Sequence, residues 1–556
     1  MTPLALLGGI LVNRYTLFLA GLGLYLLATH PLIEMTHGIE RMEIPLLLYL
    51  YYCLNAFARE SKWRAVTAAL PLVILYLVHD YYFMRFFRIP KINDLTQVPE
   101  LFSVTGWEVN LTLACVALLL LYLLFTRFHV TRKGLLLAMP AVLVLGGPML
   151  HPASFIQVYS TLSREVIHYA TVVNVEYNGR LVTALYNEAR RRDTMSHIAQ
   201  YRDIEKLAMR LPADLEKPDK TNGRNVHLIV LEGFLDPTLL ANLPASLQPL
   251  HPDFLEALSP HLGFSISPVF GGYTAQAEFE VLCGVPAFQE FDEIEFNVFS
   301  GSPTYCLPAI LGRLGYRTAA SNAFKPDFFN AMPAYRGLGF EAIYFAKEYT
   351  PSMETYLAKG EGVENKYFYD TELFTQNLAF VERMLADKKP FFNYLLTVYG
   401  HFPFEYGSRM GPPRYPAPAL PWDLERIINQ LHYRSKAVSD YVRQLRALDP
   451  EALIILVSDH LPPLEGGVNV YGKFGYLREG LEERFYRNRL LIFRNGHPEK
   501  KENFYHFNIY RTILDHVTAG EYCKNRPCDF RFPFDKETLR DDYHIIMGLA
   551  SKGLNL

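Results

Sequence analysis

Charge is scarce in this chain. Only 20% of its 556 residues are Asp, Glu, Lys or Arg, and the two signs nearly cancel, leaving −3. So even a balance supplies no basic footprint, and no nucleic-acid partner is expected. No internal repeat and no low-complexity tract interrupts the sequence, which excludes solenoids and disordered arrays. Cysteine is limited to six residues. Cys53 and Cys115 fall in apolar runs. Cys283, Cys306, Cys523 and Cys528 lie in the C-terminal part, and an even number there suits an oxidising compartment. Pairing of Cys283 with Cys306 and of Cys523 with Cys528 is expected; four free buried thiols are the alternative.

Apolar residues make up 50% of the chain and concentrate before about residue 150. Five runs read as membrane spans: Tyr15–Ala28, Ile44–Phe57, Ala65–Phe83, Val109–Phe125 and Gly134–Leu150. A span needs about 20 apolar residues, so the first two borrow flanking residues. Pro140 and Pro148 interrupt the fifth. A signal peptide fits poorly, because further spans follow the first run. Arg59, Lys62 and Arg64 crowd one short loop, and Arg127, Arg132 and Lys133 another. The excess of positive charge places both loops in the cytoplasm, with Arg14 and the N-terminus. Five spans then leave the large C-terminal part outside.

The expected organisation is a transmembrane domain over 1–150, an amphipathic helical linker over 151–220, a globular domain over 221–545 and a tail over 546–556. In the linker, Arg190, Arg191 and Arg192 suit lipid phosphates or a solvated face. From about residue 224 the pattern changes. "NVHLIVLEG", "GYRTAAS", "PFFNYLLTVYG", "ALIILVSDH" and "RLLIFRN" read as buried strands. "TELFTQNLAFVERMLA" and "LERIINQLHYRSKAVSDYVRQLRAL" read as helices. This alternation predicts an α/β fold, a mainly parallel sheet covered by helices on both faces.

In such sheets chemistry gathers at the carboxyl ends of strands. Glu232, His401 and the Asp459–His460 pair each follow an apolar strand. Carboxylate and imidazole together suit Zn or Mn, although each residue alone also reads as a hydrogen-bonded loop residue. "SPVFGGYTAQAEFEVLCGVP" sets Thr274 between a glycine turn and a helix. Thr274 could cap the helix through its side chain. It could equally be a nucleophile, since a helix N-terminus attracts phosphate and a metal lowers a hydroxyl pKa.

The order of these motifs resembles the alkaline phosphatase/sulfatase superfamily, and within it the lipoteichoic acid synthases and the periplasmic glucan phosphoglycerol transferases. "NVHLIVLEGF", "GGYTAQAEFEVLCGVP", "VYGHFPF" and "VSDHLPPL" carry the resemblance. It implies a sulfatase-like domain, with Glu232, Thr274, Asp459 and His460 around one divalent ion (Mn or Zn, possibly Mg). It gives His401 a place at the phosphoryl group or as acid/base, and it favours the Cys283–Cys306 bridge. The implied protein is a multi-pass enzyme of the bacterial cytoplasmic membrane with its catalytic domain outside. It would move phosphoglycerol from phosphatidylglycerol, through a phosphothreonine, to an envelope glycan. Phosphoethanolamine transfer from phosphatidylethanolamine is the alternative, and a non-catalytic envelope assembly protein of the same fold is a second. Two departures stand out. Phe329 and Ala331 occupy the positions of a family Trp and Arg, and Leu464 replaces a family His. Lys325 is the one cation before the helix, within six positions of the missing arginine, and is expected to hold the donor phosphate or the head group, a solvated loop lysine being its other reading. "TAQAE" lacks the C/S-x-P-x-R context of true sulfatases.

Overall fold

The computed structural model describes residues 13–33, 43–86, 89–90, 92, 107–163, 175, 177–201, 215–244, 247–291, 294–360, 367–404, 410–415, 420–478 and 482–554. It divides into two compact units, Met1–Thr194 and Met195–Leu556.

In the first unit all five apolar runs are helical: Arg14–Ile33, Glu43–Phe57, Arg64–Phe86, Trp107–Arg127 and Arg132–Leu150. Three of them carry stretches long and apolar enough to cross a membrane, Arg64–Met84, Asn110–Arg127 and Arg132–Leu150. The other two are shorter apolar helices, Arg14–Thr29 and Glu43–Phe57. Fifteen helical residues rise roughly 22 Å, short of a hydrocarbon core about 30 Å thick, so among the described residues three of the five expected spans stand as candidates by length and composition. Leu118, Leu124 and Phe125 are exposed on the fourth helix, as a lipid-facing surface requires. The loops at residues 58 and 128 pair through an antiparallel bridge, with Arg59 N donating to Arg127 O at 2.9 Å.

A helix at Arg180–Ile198 starts against the second of these helices. The buried Glu43 carboxylate accepts from Leu181 N and Val182 N, both at 3.1 Å, and from Tyr76 Oη at 2.6 Å. Arg180 pairs with Asp80 at 2.6 Å.

The second unit is built on a mixed nine-stranded sheet. Its strands are β1 Val226–Leu231, β2 Gly263–Ile266, β3 Arg317–Asn322, β4 Ala342–Phe345, β5 Phe391–Leu396, β6 Leu453–Ser458, β7 Arg487–Arg494, β8 His497–Pro498 and β9 Phe504–Tyr505. The order is β4-β3-β5-β1-β6-β7-β2-β9, with β8 on β7. The pairs from β4 through β6 are parallel, and β7 runs antiparallel to β6 and β2. The five long apolar runs of the sequence became β1, β3, β5, β6 and β7. The two- and four-residue strands escaped notice because so short a segment carries no periodicity.

Strands β1, β5 and β6 are buried along their whole length, as their mostly apolar sequences require of a sheet covered twice. Val226, Leu228 and Val230 face a core with Phe279, Ile310 and Ile513 from helices on one side. Asp370–Ala386 and Trp422–Leu448 pack against each other, with Tyr441 Oη donating to Asn377 Oδ1 at 2.7 Å. The helix Arg540–Ala550 runs across residue 545 and buries Tyr543, Ile546 and Met547 in the core beside Phe279.

Candidate metal and nucleophile site

Strands β1 and β6 are neighbours, in register from Val226↔Leu453 to Leu231↔Ser458. The next residues, Glu232 and Asp459, therefore emerge side by side. Glu232, Asp459 and His460 are buried and offer ligand atoms that all lie within 4.8 Å of one another. Thr274 joins them from a different segment: its Oγ1 donates to Glu232 Oε2 at 3.0 Å and lies 3.4 Å from His460 Nε2.

Each member is aimed by its backbone surroundings. Asp459 Oδ1 accepts from Gly233 N at 2.8 Å and from His460 N at 2.7 Å. Its other oxygen, Oδ2, is buried, accepts no hydrogen bond among the described residues and lies 3.2 Å from His460 Nε2. His460 Nδ1 lies 2.9 Å from Leu461 O. A carbonyl can only accept, so Nδ1 carries the proton and the Nε2 lone pair turns toward the cluster.

The turn "GGYT" explains how Thr274 arrives there. Gly271, Gly272 and Tyr273 have φ of 67°, 131° and 60°. Two glycines take the left-handed region freely; Tyr273 does so at a cost of about 1–2 kcal/mol. Tyr273 occupies the N-cap position of the helix Thr274–Cys283 and makes no side-chain cap. Thr274 is thus the first helical residue, and its hydroxyl is spent on Glu232 rather than on capping.

The donor set fits a divalent cation. Ligand bonds of about 2.0–2.2 Å in a tetrahedron put donors roughly 3.3–3.6 Å apart; here the three contacts of His460 Nε2 are 3.2, 3.4 and 3.8 Å. Burial first, and then the Asp459 carboxylate, push the Glu232 carboxyl well above its usual range. A cation between the two carboxylates would offset that repulsion. Glu278, one turn along the Thr274 helix, is pushed up to about 7 by burial, and accepts from Tyr335 Oη at 2.5 Å and Tyr394 Oη at 2.7 Å.

His401 lies outside this cluster, beyond the end of β5. Its Nδ1 is 2.8 Å from Phe402 O and 3.0 Å from Tyr367 Oη. Phe329 stands beside the GGYT turn, its ring 6.2 Å from that of Tyr273 and 4.2 Å from Phe328, which is 6.3 Å from His401. Phe329 and Asn330 both have positive φ, at 49° and 56°. Lys325 Nζ lies 5.6 Å from the centre of the Phe324 ring and 6.0 Å from that of Tyr349. Cys283 is bonded to Cys306, and Cys523 to Cys528.

Sequence reasoning passed over Arg434, Asp370 and the aromatic group of Tyr273, Phe324, Phe328, Tyr349 and Tyr367. Arg434 did leave a signal. It continues the apolar stripe Ile427–Leu431–Val438, where a charge must be buried and therefore paired.

Residues 224–519, more than half of the chain, match the sequence model of the Sulfatase family. The chain belongs to the Sulfatase family. A putative cyclic beta-1,2-glucan modification protein of Rhizobium meliloti (strain 1021) is 28% identical over 274 residues, which cover 48% of this chain and 39% of the relative. A lipoteichoic acid synthase of Staphylococcus saprophyticus is 26% identical over 250 residues, 43% of this chain and 36% of the relative. The chain thus covers well under half the length of these curated relatives. Among solved structures, a Streptococcus pyogenes phosphoglycerol transferase, GacH, in complex with sn-glycerol-1-phosphate, is similar with a TM-score of 0.45 and 19% identity. That likeness covers 64% of this chain and 92% of the other.

Proposed function

We propose that this protein is a metal-dependent transferase that takes phosphoglycerol from phosphatidylglycerol and passes it through a phosphothreonine at Thr274 to an envelope glycan. The observation that carries this reading is the Thr274 hydroxyl, set at a helix start and hydrogen-bonded to Glu232 at 3.0 Å. The similarity to a lipoteichoic acid synthase and to a glucan modification protein supports the substrate classes.

Glu232, Asp459, His460 and Thr274 would hold the cation, Zn or Mn with Mg as a further option. When bound, it supplies positive charge for an anionic phosphoryl group and lowers the hydroxyl pKa. Thr274 Oγ1 attacks phosphorus and forms the new O–P bond as the bond to diacylglycerol breaks. The hydroxyl proton is already directed at Glu232 Oε2. His401, its Nδ1 2.8 Å from Phe402 O, would act as an imidazolium and protonate the leaving oxygen. In the second half a glycan hydroxyl attacks the same phosphorus and gives its proton to His401, while the Thr274 O–P bond breaks and Oγ1 takes its proton back from Glu232. Phe329 and Lys325 flank the site as head-group contacts. The reading includes the five-span topology, the division at about residues 150 and 220, and a catalytic domain outside the cytoplasmic membrane.

Full-length protein incubated with phosphatidylglycerol and phosphatidylethanolamine, each radiolabelled in its head group, tests this reading. Diacylglycerol release from the first and a phosphoglyceryl adduct on the Thr274 peptide are expected, both lost in Thr274→Ala. Release from phosphatidylethanolamine alone would make it a phosphoethanolamine transferase. Unchanged turnover in Thr274→Ala would overturn the nucleophile, and no turnover with either lipid would favour an assembly protein.

A further inference from the structure

Far along the sequence from the catalytic cluster, the first unit contains a cavity of about 220 Å³ lined by Arg14, Arg64 and Lys133, with Asn55 and Thr131 among its other walls. Its volume is well above the roughly 30 Å³ that one water takes up. Its three cations stand in the first turns of three separate helices, Arg14–Ile33, Arg64–Phe86 and Arg132–Leu150, beside the segments whose excess positive charge marks the cytoplasmic side. The bridge between residues 58 and 128 draws two of those segments together.

The charge balance is one-sided. Arg64 gives Nε and Nη2 to Asn55 O at 2.9 and 2.7 Å and Nη1 to Glu60 at 2.5 Å. Glu60 points into solvent, with 89% of its side chain exposed, which leaves the cavity net positive. Thr131 caps the Arg132–Leu150 helix by accepting from Gly134 N, so a helix N-terminus with its partial positive charge also lies at the wall.

A second observation points to a ligand. Asn55 is 3% exposed, its Nδ2 donates to Tyr51 O at 3.0 Å, and its Oδ1 accepts nothing among the described residues. A buried acceptor left unsatisfied costs about 1–3 kcal/mol. A fully deprotonated inorganic anion such as sulfate meets the cations but brings no donor for that oxygen. An anionic head group with a hydroxyl meets both. Trp63, largely exposed beside Lys62, marks the depth of a membrane interface.

We propose that this cavity binds an anionic phospholipid, its phosphodiester between Arg14, Arg64 and Lys133 and a head-group hydroxyl donating to Asn55 Oδ1. The site does not depend on the transferase reading, since it shares no residue with the Thr274 cluster.

The test is native mass spectrometry and thermal unfolding of the full chain in mixed micelles. Phosphatidylglycerol, phosphatidic acid, phosphatidylcholine and inorganic phosphate are the separate additives. Phosphatidylglycerol should bind at least tenfold more tightly than phosphatidylcholine, and the double variant Arg14→Gln/Lys133→Gln should lose that preference while Arg14→Lys/Lys133→Arg keeps it. Asn55→Leu keeps every cation. It should retain phosphatidic acid and lose the preference for phosphatidylglycerol over it, an outcome that stands even if the double variant folds poorly. Equal binding of phosphatidylglycerol and phosphatidylcholine, an unchanged preference in the double variant or in Asn55→Leu, or full stabilisation by inorganic phosphate alone would each overturn the proposal.

Discussion

Arg434 reaches from the middle of a long helix to the backbone oxygen of Glu232, donating from Nη2 at 2.7 Å, while its Nε donates to Asp370 at 2.7 Å. Both charged side chains are only 2% exposed. The guanidinium thereby fixes the turn that follows β1, and with it the direction of the Glu232 carboxylate. Gly400 belongs to the same contact: a Cβ there would meet Glu232 O at 2.2 Å and Arg434 Nη1 at 2.3 Å. The glycine of "VYGH" is there to let a carbonyl and an arginine pass.

Arg434→Met should therefore destabilise the protein by about 3–5 kcal/mol, because Asp370 would remain buried without its partner. The double variant Arg434→Met/Asp370→Leu should recover most of that loss in chemical denaturation. It should still turn over slowly, since nothing would hold the Glu232 turn. A double variant as unstable as the single one would show that the helix, not the ion pair, carries the effect.

Asp459→Asn keeps Oδ1 as an acceptor for Gly233 N and removes one anionic ligand. Metal affinity should fall by more than the roughly 10–100-fold that losing an outer partner costs. Elemental analysis after dialysis would read this directly; full occupancy in the variant would move the metal elsewhere.

Glu278 sits with a pKa near 7 in the fold against about 4.5 unfolded. A raised carboxyl pKa favours the folded state at low pH, and that contribution fades as pH rises through 7. Each pH unit in that window is worth at most about 1.4 kcal/mol. Glu278→Gln still accepts from Tyr335 and Tyr394, so its stability should change less between pH 5 and 8 than that of the parent. Parallel curves from thermal melts would exclude Glu278 as the titrating group.

Lys325→Ala should slow transfer about 10²-fold, the lower range for losing one donor to the transition state. Metal content and melting temperature should stay as they are, because Lys325 lies over the Phe324 and Tyr349 rings rather than in the core. Parental turnover at saturating lipid would return Lys325 to the role of a loop residue.

Replacing Cys283 and Cys306 together by Ala should cost about 2–4 kcal/mol. The bond closes a separation of 23 residues and ties the Thr274 helix to the next one. A melting temperature unchanged from the parent would show that core packing alone holds the two helices.

The strands before Glu232 and before Asp459–His460 were legible because they are fully buried, although each polar residue alone read equally as part of a hydrogen-bonded loop. Thr274 was only half legible. Its place at the helix start could be read, but not that Tyr273 would take the left-handed conformation and free the hydroxyl to meet Glu232. The aromatic group around Phe329 was hidden because its members come from residues 273, 324–329, 349 and 367, and only the packed fold gathers them. The first two apolar runs were legible as helices, and their shorter apolar stretches set them apart from the other three.

The pairing of β1 with β6 also constrains the order of events in biosynthesis. Gly233 and Asp459, joined by a hydrogen bond, stand 226 positions apart. A ribosome has made most of the chain before the second carboxylate exists, and no early fragment can bind the ion at this site. Contacts this distant in sequence form slowly, so on the proposed metal reading the ion would enter a nearly complete domain. Metal uptake would then become a clock for maturation, and a pulse-labelled chain should acquire its ion only after β6 has docked.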